Sequence, residues 1–222
     1  MQIAVLLYPG FTALDAIGPF DTLSPLPGSE VVLVAERPGP VRNETGNLGL
    51  VADASLAEVT SPDIVVVPGG ADPSGQLGPG AVAEWLRHVD RTTTWTTSVC
   101  SGSLILAAAG LLTGRRATSH WLMLEQLASY GVEATGERVV FDGKYVTAAG
   151  VSSGIDMGLT LVGRIAGDRA AQSVQLLIEY DPQPPYDAGS PEKAPADLVA
   201  EWRNADLAKL VKHQGSARPA AG

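Results

Sequence analysis

Thr96-Thr97-Ser98-Val99-Cys100-Ser101-Gly102-Ser103 passes from a stretch rich in β-formers straight into one of helical period that runs to Leu112. Small residues stand two before the cysteine, at Ser98, and two after it, at Gly102, which permits a sharp turn between strand and helix. The pattern is similar to the Gly-x-Ser-x-Gly nucleophile elbow, with Cys100 in the place of the serine, where a strained turn presents the side chain at the top of a sheet. A helix starting at Ser101 would point its positive end at the sulfur and favour thiolate over thiol. A free cysteine is more often an inert buried hydrophobe, and only this context argues for chemistry.

On both sides of the elbow, apolar runs of strand length alternate with segments of helical period, which implies crossovers between parallel strands. The expected class is α/β, with a mostly parallel central sheet and helices on both faces. Strands are predicted at about 2–8, 30–35, 63–68, 93–99 and 144–148, Ile64-Val65-Val66-Val67 being the clearest. Residues 39–54 read as a hairpin excursion, and 138–141 with 144–148 as another, turned by Asp142-Gly143. Helices are predicted at about 81–91, 101–112, 121–130, 154–166, 169–179 and 195–212. Ile155, Leu159, Val162 and Ile165 form the apolar stripe of the fourth, and Ser153 with Asp156 resembles its capping box. Residues 180–195 carry five prolines and cannot be regular helix or central strand. With the apolar stripe that follows, including Leu198, Val199 and Trp202, they read as an arm docking a last helix on the body or on a second subunit.

The chain has 222 residues, of which 45% are hydrophobic and 18% charged, and this excludes a disordered or coiled-coil protein. Its net charge of −9 argues against nucleic acid and anionic membrane surfaces as partners. The apolar opening at 3–8 lacks a basic flank and is too short to span a bilayer, so a cytoplasmic location is expected. Cys100 is the single cysteine, which rules out an intramolecular disulfide and multi-cysteine metal sites. No phosphate loop, dinucleotide fingerprint or His-x-x-x-His pair is present, and cofactor-free, metal-free chemistry is the expectation.

A nucleophile needs a proton partner, and the residue after Cys100 is Ser101 rather than histidine. Asp15, in Leu14-Asp15-Ala16-Ile17-Gly18-Pro19, lies just beyond the carboxyl end of the first strand, where ligands bind in open α/β sheets. Pro19 lacks an N–H, so a helix through this segment either leaves the Asp15 carbonyl without its usual partner or begins only near Pro19. A satisfied buried carboxylate is the plainer reading of Asp15. Pro68-Gly69-Gly70 follows the third strand, and backbone donors from Gly70 and Ser101 would make an oxyanion site. Ala149-Gly150-Val151-Ser152-Ser153-Gly154 is a comparable loop after the last strand. His120 is either a second proton carrier or a structural donor.

With these residues in place, the chain resembles the ThiJ/PfpI superfamily, of class I glutamine-amidotransferase-like, flavodoxin-like fold. Leu14-Asp15 to Pro19, Ser98-Val99-Cys100, Arg116-Ala117-Thr118-Ser119-His120-Trp121 and the proline-rich 180–191 look most like isonitrile (isocyanide) hydratases. The resemblance implies Cys100 as nucleophile and Asp15 as general acid and base, with Ser101 and Val151 lining the site; the residues themselves add Gly70, Ser152 and His120 as further oxyanion or substrate-binding candidates. It implies a small-molecule substrate and, with the apolar last helix, a homodimer; the absent motifs imply no cofactor, and the texture of the chain divides it into a domain over 1–180, an arm and helix over 181–212 and a tail over 213–222. The chain departs from the hydratase pattern at Ser101, where Thr is usual, and at Val151-Ser152, where Ile-Thr is usual. The amidase branch expects His directly after the cysteine, and the glyoxalase branch Glu in place of Asp15. The expected reaction is hydration of an isonitrile to an N-substituted formamide. Glyoxalase-type chemistry on methylglyoxal, for which His120 would be essential, and a cysteine redox sensor are the alternatives. A transcriptional regulator is the least favoured, because only some 43 residues follow Glu179.

Overall fold

A computed structural model of the protein describes residues 1–205. In chain order it contains β1 (Gln2–Leu6), α1 (Ala13–Leu23), β2 (Glu30–Ala35), β3 (Gly39–Arg42), β4 (Gly49–Ala52), β5 (Ala54–Ser55), β6 (Ile64–Val67) and α2 (Ala81–Val89). There follow β7 (Trp95–Val99), α3 (Gly102–Ala108), β8 (Arg116–Ala117), α4 (Leu124–Ala128), β9 (Glu133–Ala134), β10 (Val139–Asp142), β11 (Tyr145–Ala148), α5 (Ser153–Ala166), α6 (Asp168–Leu177) and α7 (Ala196–Asn204).

The main sheet has the order β10-β11-β7-β6-β1-β2-β5, parallel throughout except for β10, which pairs antiparallel with β11 at one edge. All four residues of β6 are fully buried, as a strand covered on both faces requires. From β1 the chain crosses in one direction to β2, and from β6 it crosses in the other to β7. Right-handed crossovers in opposite directions put their helices on opposite faces. Accordingly α1, α5 and α6 pack together on one side and α2, α3 and α4 on the other. The reversal falls between the neighbours β1 and β6, and the crevice beyond their carboxyl ends is where such sheets bind ligands.

All five expected strands are present, β2 with the expected bounds and the others a residue or more shorter. Both hairpins form, but Asp142 belongs to β10 opposite Tyr145, so the turn residues are Gly143-Lys144, with Gly143 at φ 60°. The segment around Pro19 is helical: α1 runs through the proline, so the Asp15 carbonyl forgoes its usual helical bond. Close packing against α5 supports the turn, because a Cβ on Gly18 would lie 3.2 Å from Ile155 Cγ1 and one on Gly158 would collide with Thr22. This seam also corrects the predicted face of α5. Gly154, Met157, Gly158, Leu161 and Val162 turn inward, whereas Ile155, Leu159 and Ile165 are only half-buried.

The capping box does not form. Ser152 is the N-cap, the Ser153 hydroxyl is buried without a hydrogen-bond partner, and Asp156 accepts from Arg138 at 2.6 Å and from Tyr180 at 3.2 Å. The helix expected over 101–112 stops at Ala108, followed by Gly110 at φ 82°. The one expected over 121–130 begins as a 3-10 turn, Trp121–Met123, before α4. The last helix ends at Asn204 with Ala205 extended, and the remainder of the helix expected to 212, with the tail at 213–222, lies outside the described residues.

Candidate active site

Cys100 stands between β7 and α3 at φ 59°, a left-handed conformation that costs a non-glycine residue about 1–3 kcal/mol. Its surroundings hold it there. The Cys100 N–H donates to the carbonyls of Ala148 and Ala149, at 3.1 and 2.8 Å, and its carbonyl accepts from the hydroxyls of Ser103 and Ser119, at 3.2 and 3.0 Å. The small flanks have a steric reason: a Cβ on Gly102 would collide with the Val67 carbonyl, and one on Gly69 would come within 2.5 Å of Ser101 N.

Asp15, on the first turn of α1, is completely buried. Its Oδ2 accepts from the Gly69 N–H at 3.0 Å, and the Thr12 N–H donates back to the Gly69 carbonyl at 2.8 Å, so the loops after β1 and β6 interlock. Oδ1 has no fully formed hydrogen bond, and the Cys100 thiol is close enough to act on the titration of the carboxyl. Burial, opposed by the Gly69 N–H and reinforced by the Glu44 charge, raises Asp15 from 3.8 to about 7. Near neutral pH this carboxyl is therefore protonated in a large fraction of molecules.

The sulfur does not behave as the helix end alone predicts. Burial, followed by the Asp15 charge, pushes the Cys100 thiol well above its ordinary value, and the N–H groups of Ser101 and Val151 oppose this only in part. The resting group is a thiol beside a carboxyl, and their protons come off as those of a coupled pair.

The donor set differs from the expected one in a single member. Gly70 lines the site, but its N–H donates to Ser101 Oγ at 2.9 Å and its carbonyl accepts from that hydroxyl at 2.8 Å, so the pair is locked together. The backbone donors directed at the sulfur are those of Ser101 and Val151. Ser152 does not line the cavity and accepts from Arg138 at 3.3 Å. His120 does line it, with its Nδ1 accepting the Leu122 N–H at 3.3 Å, and burial lowers its pKa, which keeps the ring neutral.

Above Cys100 opens a cavity of about 470 Å³. Its wall includes Glu44, which sequence reasoning missed. The β3–β4 hairpin docks on the loop after β1 through Gly10 N–H to Arg42 O, at 2.9 Å, and Glu44 N–H to Phe11 O, at 3.0 Å. The Glu44 carboxylate then accepts from the Thr12 hydroxyl at 2.7 Å and the Ala71 N–H at 3.0 Å. Residues from the proline-rich arm and α7, among them Pro191, Leu198 and Trp202, complete the wall. The apolar stripe after the arm was the available signal for these, whereas an acidic residue in a hairpin turn carries none. Among the described residues, no group of three or more His, Cys, Asp or Glu side chains is disposed to hold a metal ion.

A parallel sheet reversing at β1 and β6, with a positive-φ cysteine at the next strand end and a buried acid facing it, defines a cysteine-centred α/β domain. Residues 1–164 match the DJ-1/PfpI family, and the chain belongs to it. It is 41% identical to a Pseudomonas putida protein named isonitrile hydratase, over 91% of this chain and 89% of that one. Among solved structures it is similar to a THiJ/PfpI family protein from Pseudomonas syringae, with a TM-score of 0.86 and 38% identity, covering 97% of this chain and 90% of the other. Drosophila melanogaster DJ-1beta matches with a TM-score of 0.73 and 26% identity, over 80% and 97% of the two chains.

Proposed function

We propose that the protein hydrates isonitriles, R–N≡C, to N-substituted formamides through a thioimidate on Cys100. The observation that carries this reading is the buried Asp15 carboxyl, poised at about 7, set against a thiol at the base of a largely apolar cavity. The similarity to the Pseudomonas putida hydratase over nearly the whole chain supports it.

An isonitrile carbon accepts a nucleophile and then a proton. Asp15 as carboxylate takes the thiol proton, and the sulfur, held by the Ser101 and Val151 N–H groups, forms the S–C bond. The protonated carboxyl returns that proton to the same carbon, giving R–N=CH–S–Cys100. Water gives its hydroxyl to the carbon and a proton to Asp15, and Asp15 passes that proton to the nitrogen. The hydroxyl proton of the resulting R–NH–CH(OH)–S–Cys100 goes to the sulfur as the carbonyl forms. Breakage of the C–S bond in that step releases R–NH–CHO and restores the thiol. The sum is isonitrile plus water, with no redox step. Single-residue elbow strain at Cys100 fits the role, since it fixes the direction of attack.

The test is formamide production from an aryl or benzyl isonitrile by the purified protein, followed by NMR, with methylglyoxal as a parallel substrate. Formamide is the expected product. Turnover of methylglyoxal alone would replace this reading with the glyoxalase one.

Two further properties belong to the proposal. The enzyme works in the cytoplasm, where an unpaired thiol stays reduced, and fractionation checks this; among the described residues no helix is long and apolar enough to cross a membrane. It is a homodimer, supported by family membership and by the large exposed side chains of Leu176 and Leu177, 81% and 71% accessible, at the end of α6. Light scattering at micromolar concentration should return twice the chain mass, and a monomer there would overturn it.

A further inference from the structure

We infer that Trp121, Met123, Leu198 and Trp202 form a subsite for a bulky apolar R group, an aromatic ring fitting best, and that Glu44 turns away anionic ones. The inference rests on the hydration reading and names the substrates within it.

An isonitrile is linear from its terminal carbon through nitrogen to the first atom of R. With the carbon at the Cys100 sulfur, R must therefore project straight into the cavity rather than fold back on the floor. The floor beside Cys100 is polar, with Ser101 and Gly70 bonded to each other. The apolar part of the cavity lining comes from two places. Trp121 and Met123 belong to the 3-10 turn after His120, and Leu198 and Trp202 belong to α7.

These side chains are not satisfied by the protein alone. Trp202 is 42% and Leu198 38% accessible, although both line the cavity, so apolar surface remains for a ligand to cover. The guanidinium of Arg203 on α7 lies 6.0 Å from the centroid of the Trp121 ring, and Trp121 and Trp202 line the same cavity. Its volume, about 470 Å³, is in the range that encloses ring-bearing ligands, and a methyl group would leave most of it to water. Glu44 is the acidic side chain on this wall, its charge held by two donors, and the chain carries a net −9 besides. A second carboxylate beside it would be repelled.

The experiment measures kcat/KM for methyl, benzyl and 4-carboxybenzyl isonitrile. A missing methylene in an apolar pocket changes kcat/KM by about 10- to 200-fold, so benzyl should exceed methyl by about 100-fold or more. The carboxybenzyl compound should fall at least about tenfold below benzyl. Trp202→Ala should narrow the benzyl-to-methyl ratio by about tenfold, Trp202→Phe should restore most of it, and Glu44→Gln should narrow the benzyl-to-carboxybenzyl ratio. Because α7 could detach in Trp202→Ala, Trp121→Ala tests the subsite from the body. General loss of structure would lower both substrates together and leave the ratio unchanged. A wild-type benzyl-to-methyl ratio near one, or one that neither alanine variant moves, overturns the subsite while hydration stands. No turnover of any isonitrile overturns hydration and the subsite with it.

Discussion

Cys100→Ser is expected to lower formamide formation by at least about 10⁴-fold, with the fold intact. The change exchanges sulfur for oxygen and leaves every backbone contact of the turn available, so the φ of 59° and the hydrogen bonds to Ala148, Ala149, Ser103 and Ser119 have no reason to change. What changes is proton affinity. A serine hydroxyl loses its proton far less readily than a thiol and is the weaker nucleophile, so the same carboxylate, titrating at about 7, activates it at a much higher cost. Two backbone N–H groups aimed at the sulfur cannot close that gap, since even for the thiol they only partly offset burial. The check pairs formamide yield with a thermal melt. More than about one hundredth of wild-type turnover in a folded Cys100→Ser protein would show that the thiol is not the required nucleophile.

Asp15→Asn should lower turnover by about 10²–10⁴-fold, the usual worth of a general acid and base, while making the protein more stable at alkaline pH. The sign follows from where the proton is held. In the unfolded chain the Asp15 carboxyl titrates near 3.8 and in the folded one at about 7, so between these values the folded state binds the proton and the unfolded state has lost it. Wild-type stability therefore falls as pH rises through this window, and the penalty is complete above about pH 7. At 1.36 kcal/mol per pH unit its upper limit is about 4 kcal/mol. Asparagine keeps an acceptor for the Gly69 N–H and carries no charge. Denaturation midpoints of the two proteins should nearly coincide at pH 4 and separate, variant above wild type, by pH 8. Parallel curves would show that burial of Asp15 imposes no such penalty, and retained turnover would remove Asp15 from the mechanism.

The elbow, the central strands and the positions of Asp15 and Cys100 could be read from local pattern because each depends on residues adjacent in the chain. Small residues at Ser98 and Gly102 announce a tight turn, although only the structure shows that Gly102 is packed under the Val67 carbonyl. What escaped depended on partners distant in sequence. Pro19 left open whether a helix runs through the segment or starts near the proline, and the close approach of α5 at Gly18, Gly154 and Gly158 supports the helix that runs through. The same approach hid the inner face of α5, since hydropathy ranks Ile155 and Leu159 above the glycines that permit contact. Glu44 sits in the turn Asn43-Glu44-Thr45-Gly46, which looks like any solvated hairpin until Phe11 is found pairing with Asn43. The expectation of a thiolate considered the end of α3 and not the depth of the site, and burial is the larger effect.

Cys100, Asp15 and the N–H groups around them all lie within residues 1–164, the part that matches the family, while Leu198 and Trp202 reach the same cavity from beyond it. In the proposed subsite, bond-making therefore stays inside the family domain, while half of the apolar wall, Leu198 and Trp202, is added from a stretch outside it. Under selection, mutations or exchanges confined to the arm could alter the diet of the enzyme while its inherited chemistry stayed untouched, so divergence among relatives should concentrate after the end of α5.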